Sequence, residues 1–207
     1  MTARSLRDRL PRRTLWLLLL LVAVAVLASA FHRRAKARRE ADAMAYEVAL
    51  HRSEKRPDAV IGYEAWSTIR NEADLAARLA GLKLDCRADW TEVKGAARTC
   101  AVDLKSLNGV PTMYVNFTFS DRALIRVSTV IPGEFHAQGL AHLTRSLGEP
   151  TVRQSRAHAG LRLDGWILAD GSTLFYNRDP ASARDGTNSI QWLPKNGCDG
   201  HPCITAP

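Results

Sequence analysis

Thr112-Met113-Tyr114-Val115-Asn116-Phe117-Thr118-Phe119 decides how the globular part of this 207-residue chain is read. Met113, Val115, Phe117 and Phe119 alternate with Thr112, Tyr114, Asn116 and Thr118. A period of two is that of a strand with one apolar face against a core and one mixed face turned away.

Outward from this strand, the same pattern predicts strands at 83–90, 98–104 and 123–131. Lys94-Gly95, Asn108-Gly109 and Ser120-Asp121 serve as turn material between them. Pro132-Gly133-Glu134 opens a helix over 134–147, in which Leu140, Leu143 and Leu147 share a face with His136. Gly148 and Pro150 stop it. A polar loop from Arg153 to Gly160 then precedes strands at 161–169 and 172–178, joined through Asp170-Gly171 as a type I′ hairpin, and a last strand at 188–193.

Upstream of the first strand, Asn71 reads as an N-cap, with Glu72 and Asp74 at the positive end of the helix dipole. Leu75 and Leu79 point one way and Gly81 closes this second short helix, while Asp58 to Thr68, with Trp66, reads as a loop or short turn. Short helices and antiparallel strands together predict an α+β domain, two helices packed on one face of the sheet. The two halves run in the same order, and Phe117-Thr118-Phe119-Ser120-Asp121 with Leu124 aligns with Trp166-Ile167-Leu168-Ala169-Asp170 with Leu174, a candidate tandem repeat.

Leu15 to Phe31 (LWLLLLLVAVAVLASAF) holds no charge, glycine or proline. As a helix it is roughly 26 Å long, within the range that crosses a bilayer. Ala28-Ser29-Ala30 also fits a signal-peptidase site, which would leave a soluble protein. An uncleaved anchor is the preferred reading, because the apolar stretch exceeds a usual signal core and the stretch after the cut would begin with Arg33 and Arg34. The organisation expected is a cytoplasmic basic tail (1–13), a transmembrane anchor (14–31), a helical juxtamembrane stalk (32–56), an extracytoplasmic α+β domain (57–195) and a C-terminal tail (196–207).

Five arginines precede the apolar run, Arg12 and Arg13 last among them, and basic residues led by Arg33 and Arg34 follow it, so charge alone does not orient the anchor. Cysteines do: Cys86, Cys100, Cys198 and Cys203 all follow the anchor in two local pairs, which suits an oxidising compartment. The domain is therefore placed in the periplasm, tethered to the inner membrane by a single pass with its N-terminus cytoplasmic. Residues 1–56 hold 13 Lys/Arg against 5 Asp/Glu, and the remaining residues hold 16 of each, so the net charge of +8 flanks the membrane. Those basic residues suit anionic headgroups, and a charge-balanced domain has no net field for nucleic acid.

Cross-strand neighbours at their separation predict a Cys86–Cys100 disulfide. Cys198 and Cys203 are expected to close the tail with a second; with His201 they also offer three corners of a zinc site, but no further ligand pair is spaced to complete it. His136, His142 and His158 are candidate ligands or bases whose plainer reading is structural, and Asn116-Phe117-Thr118 matches a glycosylation pattern inside a strand. No G-x-S-x-G, H-E-x-x-H or glycine-rich phosphate loop occurs, so no cofactor and no catalytic residue is assigned. Trp90, Trp166 and Trp192 are candidates for a binding face, with core packing accounting for two of the three.

Phe135, Leu140, Leu143, Leu147-Gly148-Glu149-Pro150 and Gly165-Trp166-Ile167-Leu168-Ala169-Asp170-Gly171 together resemble small bacterial envelope proteins of the β-lactamase-inhibitor-protein-like type. These include the small lipoprotein of the outer-membrane assembly machinery. The resemblance covers residues 70–193 and implies a domain that binds other proteins and has no active site. This chain has an apolar anchor in place of a lipid-modified cysteine. The function expected is non-enzymatic binding of another cell-envelope protein, as an accessory or assembly subunit, through the exposed sheet face with Tyr114, Tyr176 and Trp192 as anchors. The alternatives are an inhibitor or immunity protein against an envelope-acting enzyme, and a metal-dependent envelope enzyme.

Overall fold

The computed structural model describes residues 12–88, 90, 93, 95–121, 123–156, 161–180 and 186–197. The chain divides into two compact units, Met1–Met44 and Ala45–Pro207. Helix α1, Arg12–Ser53, begins in the first and ends in the second. Its stretch Trp16–Lys36, 21 residues with a mean hydropathy of 2.0, is long and apolar enough to cross a membrane, a measure that a signal sequence also meets. The large side chains from Trp16 to Leu27 are exposed, as those of a helix solvated by lipid are. The Ser29 hydroxyl donates to Val26 O at 2.8 Å, so this polar side chain of the apolar run is satisfied within its own helix. Arg33 and Arg34 are exposed near the end of that stretch, and Arg12 and Arg13 begin the helix.

Among the described residues of the second unit, eight antiparallel strands form one sheet: β2 (Asp85–Arg87), β3 (Arg98–Asp103), β6 (Tyr114–Phe119), β7 (Leu124–Pro132), β8 (Val152–Arg156), β9 (Leu161–Ile167), β10 (Thr173–Asn177) and β11 (Thr187–Leu193). Their spatial order is β2-β3-β6-β7-β11-β10-β9-β8, two meanders whose last strands, β7 and β11, pair in the middle. A smaller sheet joins β1 (Asp58–Ala59), β4 (Ser106–Leu107) and β5 (Val110–Pro111).

Register turns the sequence alternation into two faces. On one, Cys86, Cys100, Phe117, Val127, Trp192, Leu174 and Trp166 pair in a row across seven strands. Helices cover this row. A 3-10 helix, Tyr63–Thr68, sets Trp66 edge-on to both Phe117 and Trp192, with ring centroids 6.5 and 6.2 Å away. Helix α2, Glu72–Arg78, starts where the Asn71 side chain accepts from the Asp74 N–H at 3.0 Å, and it buries Leu75.

Helix α3, His136–Leu147, follows a short 3-10 turn and reaches the sheet through Gly139, where an added Cβ would lie 2.8 Å from the Tyr176 hydroxyl. The C-terminal end of α3 is tied down by Trp166, whose Nε1–H donates to Gly148 O at 2.9 Å.

Several expectations are corrected. The stretch expected to be a polar loop from Arg153 contains strand β8, paired with β9; it lacks apolar alternation because it is an edge strand. Residues 58–68 supply β1 and the 3-10 helix, and Trp66 within them is a core residue at 0% exposure. The first strand shrinks from 83–90 to Asp85–Arg87.

Asp170-Gly171 is not a type I′ pair: only Gly171 has positive φ (82°), and its N–H donates to Leu168 O in a longer turn. The pair with both φ positive is Asn108 (54°) and Gly109 (79°), at the β4–β5 hairpin. Asn108 holds that turn in place by exchanging two hydrogen bonds of 2.9 Å with the Ile61 backbone.

Candidate functional site

The expected Cys86–Cys100 disulfide is formed between directly paired residues of β2 and β3. Glu72 of α2 lies close enough that the three side chains form a potential metal-ligand group. Both sulfurs are bonded to each other and Glu72 accepts from Arg98 at 2.8 Å, so in this state the group offers no thiolate and a carboxylate already paired. Cys198, His201 and Cys203 lie outside the described residues, as does His158.

Two of the three expected anchors are not on an exposed face. Tyr176 and Trp192, at 0% and 1% exposure, point into the helical layer. Tyr176 stacks on His136 with ring centroids 5.1 Å apart, and its hydroxyl donates to His136 O at 3.2 Å. Trp166 is buried as well, and of the three candidate tryptophans Trp90 is the exposed one, under the Arg87 guanidinium at 4.2 Å. Tyr114 is half-buried on the face away from the helices.

That opposite face carries the other row: Asp85, Ala101, Asn116, Ser128, Gln191, Phe175, Gly165 and Val152 pair in succession across all eight strands. Asn116, Ser128 and Gln191, in its middle, are each part-exposed. The helix-to-sheet contacts described above all fall on the other face. Around Gln191 a network is built: its Nε2 donates to Ser128 Oγ at 2.7 Å and to Ser189 Oγ at 2.6 Å, and its Oε1 accepts from Arg126 Nε at 2.7 Å. Next to it Thr99 and Thr118 are within 3.4 Å of each other across β3 and β6. Arg126 pairs with Thr118 in the same register that pairs Ser128 with Asn116, which puts it on this face, and a bulge at Ile125 follows, where Phe119 pairs with Leu124. Half-buried among neutral groups, the Arg126 guanidinium has its pKa pulled down by burial, and it stays charged.

The titratable groups behind the sheet are structural in their contacts. His136 is buried and donates from Nε2 to Asn177 O at 2.6 Å. Burial, then the nearby Arg145 charge, lowers the pKa of His142. Burial pushes the Tyr63 hydroxyl up to about 12. At the 168–172 turn, burial raises Asp170 but is outweighed by hydrogen bonds from Ser172 and Ser67, which hold its carboxyl below the usual value. The arrangement with most capacity for chemistry outside the core is thus the outer row, which displays amide, hydroxyl and guanidinium groups on a rigid sheet. It can recognise a partner surface by hydrogen bonds and charge.

The sequence carried one signal for this row: Tyr114, Asn116 and Thr118; Arg126 and Ser128; and Ser189 and Gln191 each occupy the polar parity of a strand. Aromatic character points instead to Tyr176 and Trp192, which the fold buries. Comparison with protein-family models, with curated proteins and with solved structures finds no match to this chain.

Proposed function

We propose that this chain is a single-pass, inner-membrane-anchored protein whose periplasmic α+β domain is non-enzymatic and binds another protein of the cell envelope through the outer row of its sheet. The observation that carries the reading is that row: a continuous line of paired positions across eight strands, polar and part-exposed at its centre, on the face away from the helices. A sheet face of this kind is positioned by the scaffold before any partner arrives, which lowers the ordering cost of binding. The resemblance to envelope domains of the β-lactamase-inhibitor-protein-like type favours the same role.

Further support comes from the chain's layout. The apolar stretch suits an anchor, Arg33 and Arg34 at its end suit anionic headgroups, and a Cys86–Cys100 disulfide suits an oxidising compartment. The helical run between anchor and domain serves as the stalk. We also read the two meanders, each preceded by short helices and meeting at β7 and β11, as a tandem duplication that widens the binding face.

Affinity purification from detergent-solubilised membranes tests this function. A stable, stoichiometric envelope protein retained through gel filtration is expected. Recovery of the chain alone after in-membrane crosslinking contradicts it, and a mature polypeptide beginning at Phe31 contradicts the anchor.

A further inference from the structure

Among the described residues, Arg126 differs from the arginines that pair with acidic side chains. Arg56, Arg87, Arg98, Arg153, Arg162 and Arg178 each lie within 4.0 Å of an Asp or Glu oxygen. Arg126 is half-buried on the outer face and its described hydrogen bond is to a neutral amide, Gln191 Oε1 at 2.7 Å. Gln191 is itself held by the hydroxyls of Ser128 and Ser189. Three polar side chains from β7 and β11 therefore orient one cation. With Nε engaged, Nη1 and Nη2 remain as a planar fork, the geometry that receives a carboxylate through two parallel hydrogen bonds. A half-buried cation with no counter-charge among the described residues is a cost to the isolated fold, and that cost is removed when an anion arrives.

Resting on the reading of this face as a protein-binding surface, we infer that Arg126 is its recognition point and that the partner protein supplies an Asp or Glu side chain, received end-on by the Arg126 fork. Ser128, Ser189 and Gln191 act as positioning residues for that fork.

The first test uses the full-length 15N-labelled chain in detergent micelles, with glutarate as the probe and neutral glutaramide as the control at matched ionic strength. Saturable shifts of the Arg126 Nε–Hε signal and of the Ser128 and Gln191 amides are expected with glutarate only. Arg126→Lys, which keeps the charge and loses the fork, should weaken the amide response by about tenfold. Equal responses to both probes, or a response to anionic lipid in nanodiscs and none to glutarate, overturn the inference.

The second test places a photo-crosslinking residue at Asn116 in the native envelope, in wild-type and Arg126→Gln backgrounds with matched urea midpoints. An adduct reduced about tenfold or more by Arg126→Gln supports the carboxylate. An adduct that persists unchanged overturns it and leaves the face as a binding surface. Absence of any adduct in the wild type overturns the binding surface and the inference together.

Discussion

Trp192 and Gln191 are adjacent in one strand and belong to different worlds. Trp192 lies in a row that is buried from Cys100 to Trp166 and is held by contact with Trp66 of the helical layer. Gln191, one step along, lies in a row whose middle is part-exposed and held by hydrogen bonds to Ser128, Ser189 and Arg126. Both rows use the same register, so the difference comes from the pleat alone. It teaches that one residue step along a strand separates an apolar surface from a polar one: the helix side gathers apolar area, whose burial contributes about 25 cal/mol per Å², and the middle of the outer side carries polar groups, the side we propose for recognition.

The largest break in that comparison is expected from Trp192→Ala. It removes the ring from beneath Trp66 and should lower stability by about 3–5 kcal/mol in urea unfolding of the full chain in detergent. A loss under about 1 kcal/mol would mean that the helix-side row is not the core. Next is the disulfide at the end of the same row. With a sequence separation of 14, replacing both Cys86 and Cys100 by Ala should cost about 3 kcal/mol, read in the same assay.

A smaller effect sharpens the contrast by pH. The buried Tyr63 hydroxyl has a folded pKa near 12 against an ordinary value of 10.0, so its proton is held more tightly in the folded state. Its contribution is complete below pH 10 and is lost as pH rises toward 12, at about 1.4 kcal/mol per pH unit. Unfolding followed from pH 9 to 12 should show this slope, and Tyr63→Phe should flatten it. The smallest effect belongs to the outer row: Ser128→Ala is expected to change stability by less than about 0.5–1 kcal/mol. A larger loss would make the Gln191 network part of what holds the fold.

How far the residues themselves announced this layout follows from the range of the interactions involved. Alternation in Thr112–Phe119 and capping at Asn71 are local, and the strand and helix they announce are present as β6 and α2. Cys86 and Cys100 are close in the chain, and their bridge was legible. Strand β8 was not, since an edge strand built from Val152-Arg153-Gln154-Ser155-Arg156 needs no apolar face and looks like a loop. The burial of Tyr176 is not legible locally, because it depends on Gly139 letting α3 approach, a contact between residues far apart in the chain. The Arg126–Gln191 contact, 65 residues apart in sequence, required the β7–β11 pairing that no local pattern reveals.

The central claim, that the outer face binds an envelope protein while the helical layer only supports it, is tested most directly by photo-crosslinking in intact membranes from two exchanged positions. One is Asn116, half-exposed on the outer row; the other is Ala141, exposed on α3. The account predicts a single discrete protein adduct from Asn116 and none from Ala141. An adduct from Ala141 with none from Asn116 would contradict it.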